Sequence, residues 1–116
     1  MATYKDSQKQ ERTLAQLVGG SVNSGSGNGW IRKSDVRTEH ELWECKITDA
    51  KSYSLKDAEL VKNVNYALMD GRIPIFMVEF KPTGNSYVIL TKDDYLALRE
   101  RAMCGNETEI GSAPVV

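Results

Sequence analysis

The chain has 116 residues, of which 27% are charged and 41% hydrophobic, with a formal net charge of −1. This is the size and composition of one compact domain, without room for two, and its near-neutral balance gives no bulk attraction to a polyanion. No apolar run approaches the roughly 20 residues that cross a bilayer, and the start Met1-Ala2-Thr3-Tyr4-Lys5-Asp6 lacks an apolar leader, so the expectation is an intracellular protein with no membrane partner.

In chain order, residues 4–18 read as a helix whose apolar end is Leu14, Ala15, Leu17 and Val18, stopped by Gly19-Gly20. Glu11 precedes Leu14, Ala15 and Val18 by three, four and seven positions, so it projects from the buried side of that helix. A carboxylate there costs free energy unless something positive meets it, which marks Glu11 as a site candidate. Residues 19–29 form a Gly/Ser/Asn stretch, read as a loop that is either a linker or a substrate-touching segment. Strands are expected near 30–32, 35–38 and 41–48. In the last of these, alternation sends Trp43, Cys45 and Ile47 to one side and Leu42, Glu44, Lys46 and Thr48 to the other, leaving Glu44 and Lys46 on an accessible face.

A second helix is expected over 54–70, capped by Ser54, with Leu55, Ala58, Val61, Val64 and Leu68 as its buried stripe. Ile73–Phe80 reads as an interior strand, Pro82-Thr83-Gly84-Asn85 as a turn and Ser86–Leu90 as a paired strand. Thr91 with Asp94 opens a last helix near 92–103, so residues 1–104 make the domain and 105–116 a mobile tail. The order predicts a mixed central sheet flanked by helices. Cys45 and Cys104 lie far apart, and Cys45 reads as a small buried thiol. His40, the single histidine, reads as a surface group beside Glu39 and Glu41.

Acid-x-Lys tripeptides are abundant and are mostly solvated charge. Four features single out Glu44-Cys45-Lys46: its strand has a buried opposite face, Asp35 lies upstream on a neighbouring strand, a Gly/Ser loop precedes both, and Glu11 faces inward from the first helix. Such a set suits phosphodiester hydrolysis, which needs an activated water and neutralised phosphoryl oxygens. Mg²⁺ prefers hard carboxylate and carbonyl oxygens and keeps several waters. Asp35, Glu44 and the Cys45 backbone carbonyl are the proposed ligands, with Glu11 for a second ion or its water shell. Lys46 would hold the attacking water or stabilise phosphate charge. Arg12, Arg32, Lys33, Arg37, Lys51 and Lys56 are candidate phosphate contacts. Residues 1–62 carry ten Lys/Arg against nine Asp/Glu, so metal bound to some of these acids would leave that half positive.

On Glu11, Ser24-Gly25-Ser26-Gly27, Asp35-Val36, Glu44-Cys45-Lys46 and Lys51-Ser52-Tyr53-Ser54-Leu55, the chain resembles the PD-(D/E)xK nuclease superfamily. Within it the chain is most similar to the small archaeal-type and phage Holliday-junction resolvases, over roughly residues 8–80. The resemblance implies a restriction-endonuclease-like core of helix, three strands, helix and strand. It further implies Mg²⁺- or Mn²⁺-dependent cleavage of DNA by a homodimer that sets two sites on a branched junction, in the cytoplasm of a prokaryotic or phage-infected cell. It gives Ser24 or Ser26 a contact with the active-site region. The chain departs from the pattern in carrying Lys33-Ser34 where the family's proline, and often a glycine, precede the first acid. Other nucleases of the same core (restriction-like, nicking or repair) and a non-catalytic DNA-binding protein of the same fold are the alternatives.

Overall fold

A computed structural model describes the backbone of residues 2–23 and 35–110, and side chains as far as Cys104. The first helix, α1 (Tyr4–Val18), begins with a reciprocal cap: Thr3 Oγ1 accepts from the Asp6 N–H while the Asp6 carboxylate accepts from the Thr3 N–H. It ends where Gly19 takes the left-handed conformation at φ 68°, which a side chain would strain, and donates to the Ala15 carbonyl. Five strands follow: β1 (Ser21–Val22), β2 (Val36–Arg37), β3 (Glu41–Thr48), β4 (Ile73–Phe80) and β5 (Asn85–Ile89). Helix α2 (Asp57–Met69) joins β3 to β4, and α3 (Lys92–Ile110) follows β5.

The strands lie in chain order in one sheet, antiparallel throughout except for β3 and β4, which run parallel as the helical crossover between them requires. This is an α/β architecture with a mixed five-stranded sheet flanked by helices. Among the described residues no helix is long and apolar enough to cross a membrane.

Both faces of the central strands are covered. On one face Leu14 and Ala15 of α1 pack with Val36, Trp43, Cys45, Ile75 and Met77, and Val18, Val22, Ile73 and Leu90 complete the cluster. Each large side chain buried there contributes about 1.5–3 kcal/mol. The Trp43 indole N–H is satisfied by Glu41 Oε1 at 3.0 Å within this core. The other face carries Leu42, Phe76 and Val78, all buried, beneath Asn63 and Ala67 of α2.

Several expectations change. Ser21–Val22, assigned to the loop, is a short strand paired with β2; two residues are too few to show alternation. The strand expected at 30–32 lies outside the described residues. Helix α2 starts at Asp57 with Lys56 at its cap and no side-chain cap bond, so Ser54 does not open it. Its inward stripe is also rotated: Asn63 and Ala67 are buried, whereas Leu55, Val61 and Leu68 are 43%, 45% and 69% exposed. Helix α3 is opened by Thr91, whose hydroxyl accepts from the Asp94 N–H, but it continues to Ile110, well past the expected end near 103.

Candidate functional site

The proposed residues gather around the middle of β3. Alternation puts Trp43 and Cys45 under α1 and Glu44 and Lys46 on the opposite face, as expected. That face is not open, because α2 lies over it. The Glu44 and Lys46 side chains are 23% and 35% exposed and stand in a cleft between β3 and α2. The cleft measures about 260 Å³ and is lined by Glu44, Lys46, Glu59, Lys62, Asn63, Tyr66 and Phe76.

Asp35 stands one residue ahead of β2, where the β2–β3 ladder runs out. Its N–H donates to the Trp43 carbonyl at 2.9 Å, and its Oδ2 accepts the Cys45 N–H at 2.8 Å. The side chain thus takes the place of the next backbone acceptor, which fixes the carboxylate at the sheet edge beside β3. In an extended strand a residue's N–H and C=O leave along the same edge, so the Cys45 carbonyl faces the Asp35 side as well. The even-numbered carbonyls of β3 face β4: the His40 and Thr48 carbonyls accept from the Ile73 and Lys81 N–H groups.

Glu11 comes to this region from the α1 face and is half-buried. Its helix is tied to β3 by the neighbouring Gln10, whose Nε2 donates to the Lys46 carbonyl at 2.9 Å. Gln10 is 6% exposed and its Oε1 is buried without a hydrogen-bond partner among the described residues. Glu11 and Glu44 therefore approach β3 from opposite faces, and Asp35 at the edge is the neighbour that both feel.

The electrostatics report the same convergence. Burial pushes the Glu11 carboxyl up to about 7, reinforced by the Asp35 charge. Glu44 also rises to about 7, through burial and then Asp35, against the opposing pull of Lys46. Asp35 is raised by burial, while the Cys45 N–H and Lys46 work the other way. The buried Cys45 thiol is pushed up by desolvation first, then by Asp35, Glu11, Glu44 and Glu79, so one group senses all three candidate carboxylates. A cluster held above the ordinary carboxylate range by burial and mutual repulsion is short of positive charge.

Among the described residues, no three of His, Cys, Asp and Glu stand close enough to enclose an ion by themselves. Mg²⁺ needs less than that, since it is held by one or two carboxylates and keeps water in its remaining positions. Asp35 and Glu44 with the Cys45 carbonyl supply hard oxygen donors of that kind, and the repulsion between them is what a divalent cation would relieve. Lys46 Nζ lies 3.5 Å from Glu44 Oε2, so the tripeptide's acid and base are in contact.

The remaining candidates scatter. Ser24, Ser26, Arg32 and Lys33 lie outside the described residues. Arg12, Lys51 and Lys56 are exposed. Arg37 is directed elsewhere: its Nε is 3.5 Å from Asp70 Oδ2, and it pairs with Leu42 towards the start of β3. His40 is exposed beside Glu39, and Cys45 is a buried free thiol.

Two groups were missed by sequence reading. Glu59 of α2 reaches Lys46, with Oε2 3.7 Å from Nζ, and both its oxygens accept from the Tyr53 hydroxyl at 3.0 and 3.2 Å. Burial and the Glu59 carboxylate push the Tyr53 phenol up to about 12. Glu59 shares its helix face with Asn63 and Ala67, four and eight residues on, but that this face meets the sheet is set by the packing of α2 and not by the spacing. Compared with protein-family models and with curated proteins, the chain matches none.

Proposed function

We propose that the chain is a metal-dependent DNA endonuclease of the PD-(D/E)xK kind, selective for branched structure and acting on four-way junctions. The observation that carries this reading is that Asp35, held on the Cys45 N–H, is the charged neighbour of both Glu11 and Glu44, with Lys46 Nζ 3.5 Å from Glu44. The order of helix, three strands, helix and strand supports a restriction-endonuclease-like core. Perturbed carboxylates in a cleft are also where function concentrates in general.

In this reading Asp35, Glu44 and the Cys45 carbonyl hold Mg²⁺ or Mn²⁺, and Glu11 serves a second ion or its water shell. The bound ion would supply charge neutralisation at the phosphoryl oxygens and a more acidic water. The chain's own contributions are distinct. Asp35 is locked by the Cys45 N–H, which fixes one of its oxygens and does not use the other. Lys46 directs its ammonium to the attacking water or to the phosphate. Arg12, Lys51 and Lys56 on exposed positions, with Ser24, Ser26, Arg32 and Lys33 of the preceding segment, would meet the sugar-phosphate backbone.

Paired cuts in a junction need two sites, hence two copies of the chain. The exposed apolar side chains of α3, Tyr95, Leu96 and Leu98, would offer a second copy a place to pack. The test is incubation with labelled four-way, flap, linear duplex and single-stranded DNA in Mg²⁺ or in EDTA. Symmetric nicks in the four-way junction alone support the full reading. Metal-dependent cutting of the other DNAs narrows it to a nuclease of this core, and binding without cutting on every DNA replaces it with a binding protein.

A further inference from the structure

Lys46 stands between two carboxylates that a metal at the site would treat differently. Its Nζ is 3.5 Å from Glu44 Oε2 and 3.7 Å from Glu59 Oε2. Glu44 belongs to β3 and has Asp35 as an electrostatic neighbour. Glu59 belongs to α2, on the other wall of the cleft. A divalent ion on Glu44 would draw away one of the two counter-charges of the ammonium, leaving Glu59 to orient it.

Glu59 is built for that task in a way a surface partner is not. Its two oxygens are held by one hydroxyl, that of Tyr53, at 3.0 and 3.2 Å. The Tyr53 ring in turn rests on Phe76, with centroids 6.4 Å apart, and Phe76 is 1% exposed at the centre of the sheet. The chain of contacts therefore runs from the core, through Tyr53 and Glu59, to the ammonium. An unsupported exposed ion pair fixes little, because two long side chains lose entropy to hold one geometry. Here one partner is already immobilised from behind.

We propose that Tyr53 and Glu59 form a positioning pair, which holds the Lys46 ammonium in the cleft while Glu44 is engaged by the metal. The proposal rests on the reading of Glu44 as a metal ligand. Neither Tyr53 nor Glu59 touches the reacting atoms; both act through Lys46. Displacing a reacting group by about 1 Å can cost about 100-fold in rate, so the expected effects fall on turnover and not on binding.

The test uses the full chain with ¹⁵N-labelled lysine, and the variants Glu59→Gln, Glu59→Asp and Tyr53→Phe. Gln keeps the shape of Glu59 and an acceptor for Tyr53 but removes the charge. In saturating Mg²⁺ the Lys46 ammonium resonance should be visible in the parent through slowed hydrogen exchange, lost in Glu59→Gln and intermediate in Tyr53→Phe. With four-way junction DNA, kcat should fall roughly 10- to 100-fold in Glu59→Gln, with partial return in Glu59→Asp. KM for DNA and the affinity for Mn²⁺, read by electron paramagnetic resonance, should stay within about twofold of the parent under the same expectation. A Glu59→Gln protein with the parent's kcat and ammonium signal overturns the pair. Loss of Mn²⁺ binding in that variant also overturns it, by making Glu59 a ligand. Should Glu59→Gln fail to fold, the Tyr53→Phe and Glu59→Asp ammonium signals decide in its place. If the parent cuts no DNA, the nuclease reading fails, and the ammonium signal in Mg²⁺ still decides for or against the pair.

Discussion

Replacing Glu44 by Gln should stabilise the metal-free protein at pH 8. Burial and Asp35 push this carboxyl from its ordinary 4.5 to about 7. At about 1.4 kcal/mol per tenfold change in proton affinity, ionising it costs the folded chain about 3 kcal/mol relative to the unfolded one. The group is acidic and its folded value is raised, so the unfolded chain binds fewer protons between about 4.5 and about 7. Its penalty is therefore absent below that window, grows as pH rises through it, and is complete above it. Gln cannot ionise and avoids the penalty, and Glu59 remains to meet Lys46. For a domain of this size, about 4 °C per kcal/mol turns the gain into a rise of roughly 10 °C in Tm. The assay is thermal unfolding by circular dichroism at pH 5 and pH 8 in EDTA. The two proteins should differ little at pH 5 and clearly at pH 8. A variant that melts at or below the parent at pH 8 would refute the reasoning, because Glu44 would then be a net stabiliser and not a strained ligand.

The same carboxylates tie metal affinity to pH: Mn²⁺ or Mg²⁺ should bind more weakly as pH falls through about 7, where Glu44 and Glu11 take up protons. Calorimetry in two buffers of different ionisation enthalpy should show protons released on binding at pH 6, and pH-independent affinity between 6 and 8 would contradict the site. Asp35→Asn keeps an acceptor for the Cys45 N–H and should fold like the parent while losing metal binding, whereas Asp35→Ala also orphans that N–H at a cost of about 1–3 kcal/mol in urea unfolding. Gly20→Ala should cost about 1–3 kcal/mol in the same assay, since a Cβ there would sit 2.6 Å from the Arg37 carbonyl oxygen and force β1 away from β2.

What the sequence made legible follows from how local each determinant is. The bounds of α1 are readable because Thr3, Asp6 and Gly19 act within a turn of the helix ends. Strands β3 and β4 match their expected spans, since eight residues are enough to show a pattern. The face shared by Glu44 and Lys46 follows from parity alone. The cover over that face does not, because it depends on how α2 is rotated. An apolar stripe through Val61 and Leu68 looked like the buried side, yet the sheet receives Asn63 and Ala67, and with them Glu59. The Asp35 bond to the Cys45 N–H was equally hidden, being set by where β2 ends.

The account stands most directly on Mg²⁺-dependent cleavage of a four-way junction by the parent beside Glu44→Gln and Lys46→Ala, with folding and junction binding followed in parallel. The predicted result is cutting by the parent in Mg²⁺ and not in EDTA, with both variants folded, still bound to the junction and inactive. Variants that cut as well as the parent, or a parent inert with Mg²⁺ and Mn²⁺ on every DNA, would contradict it.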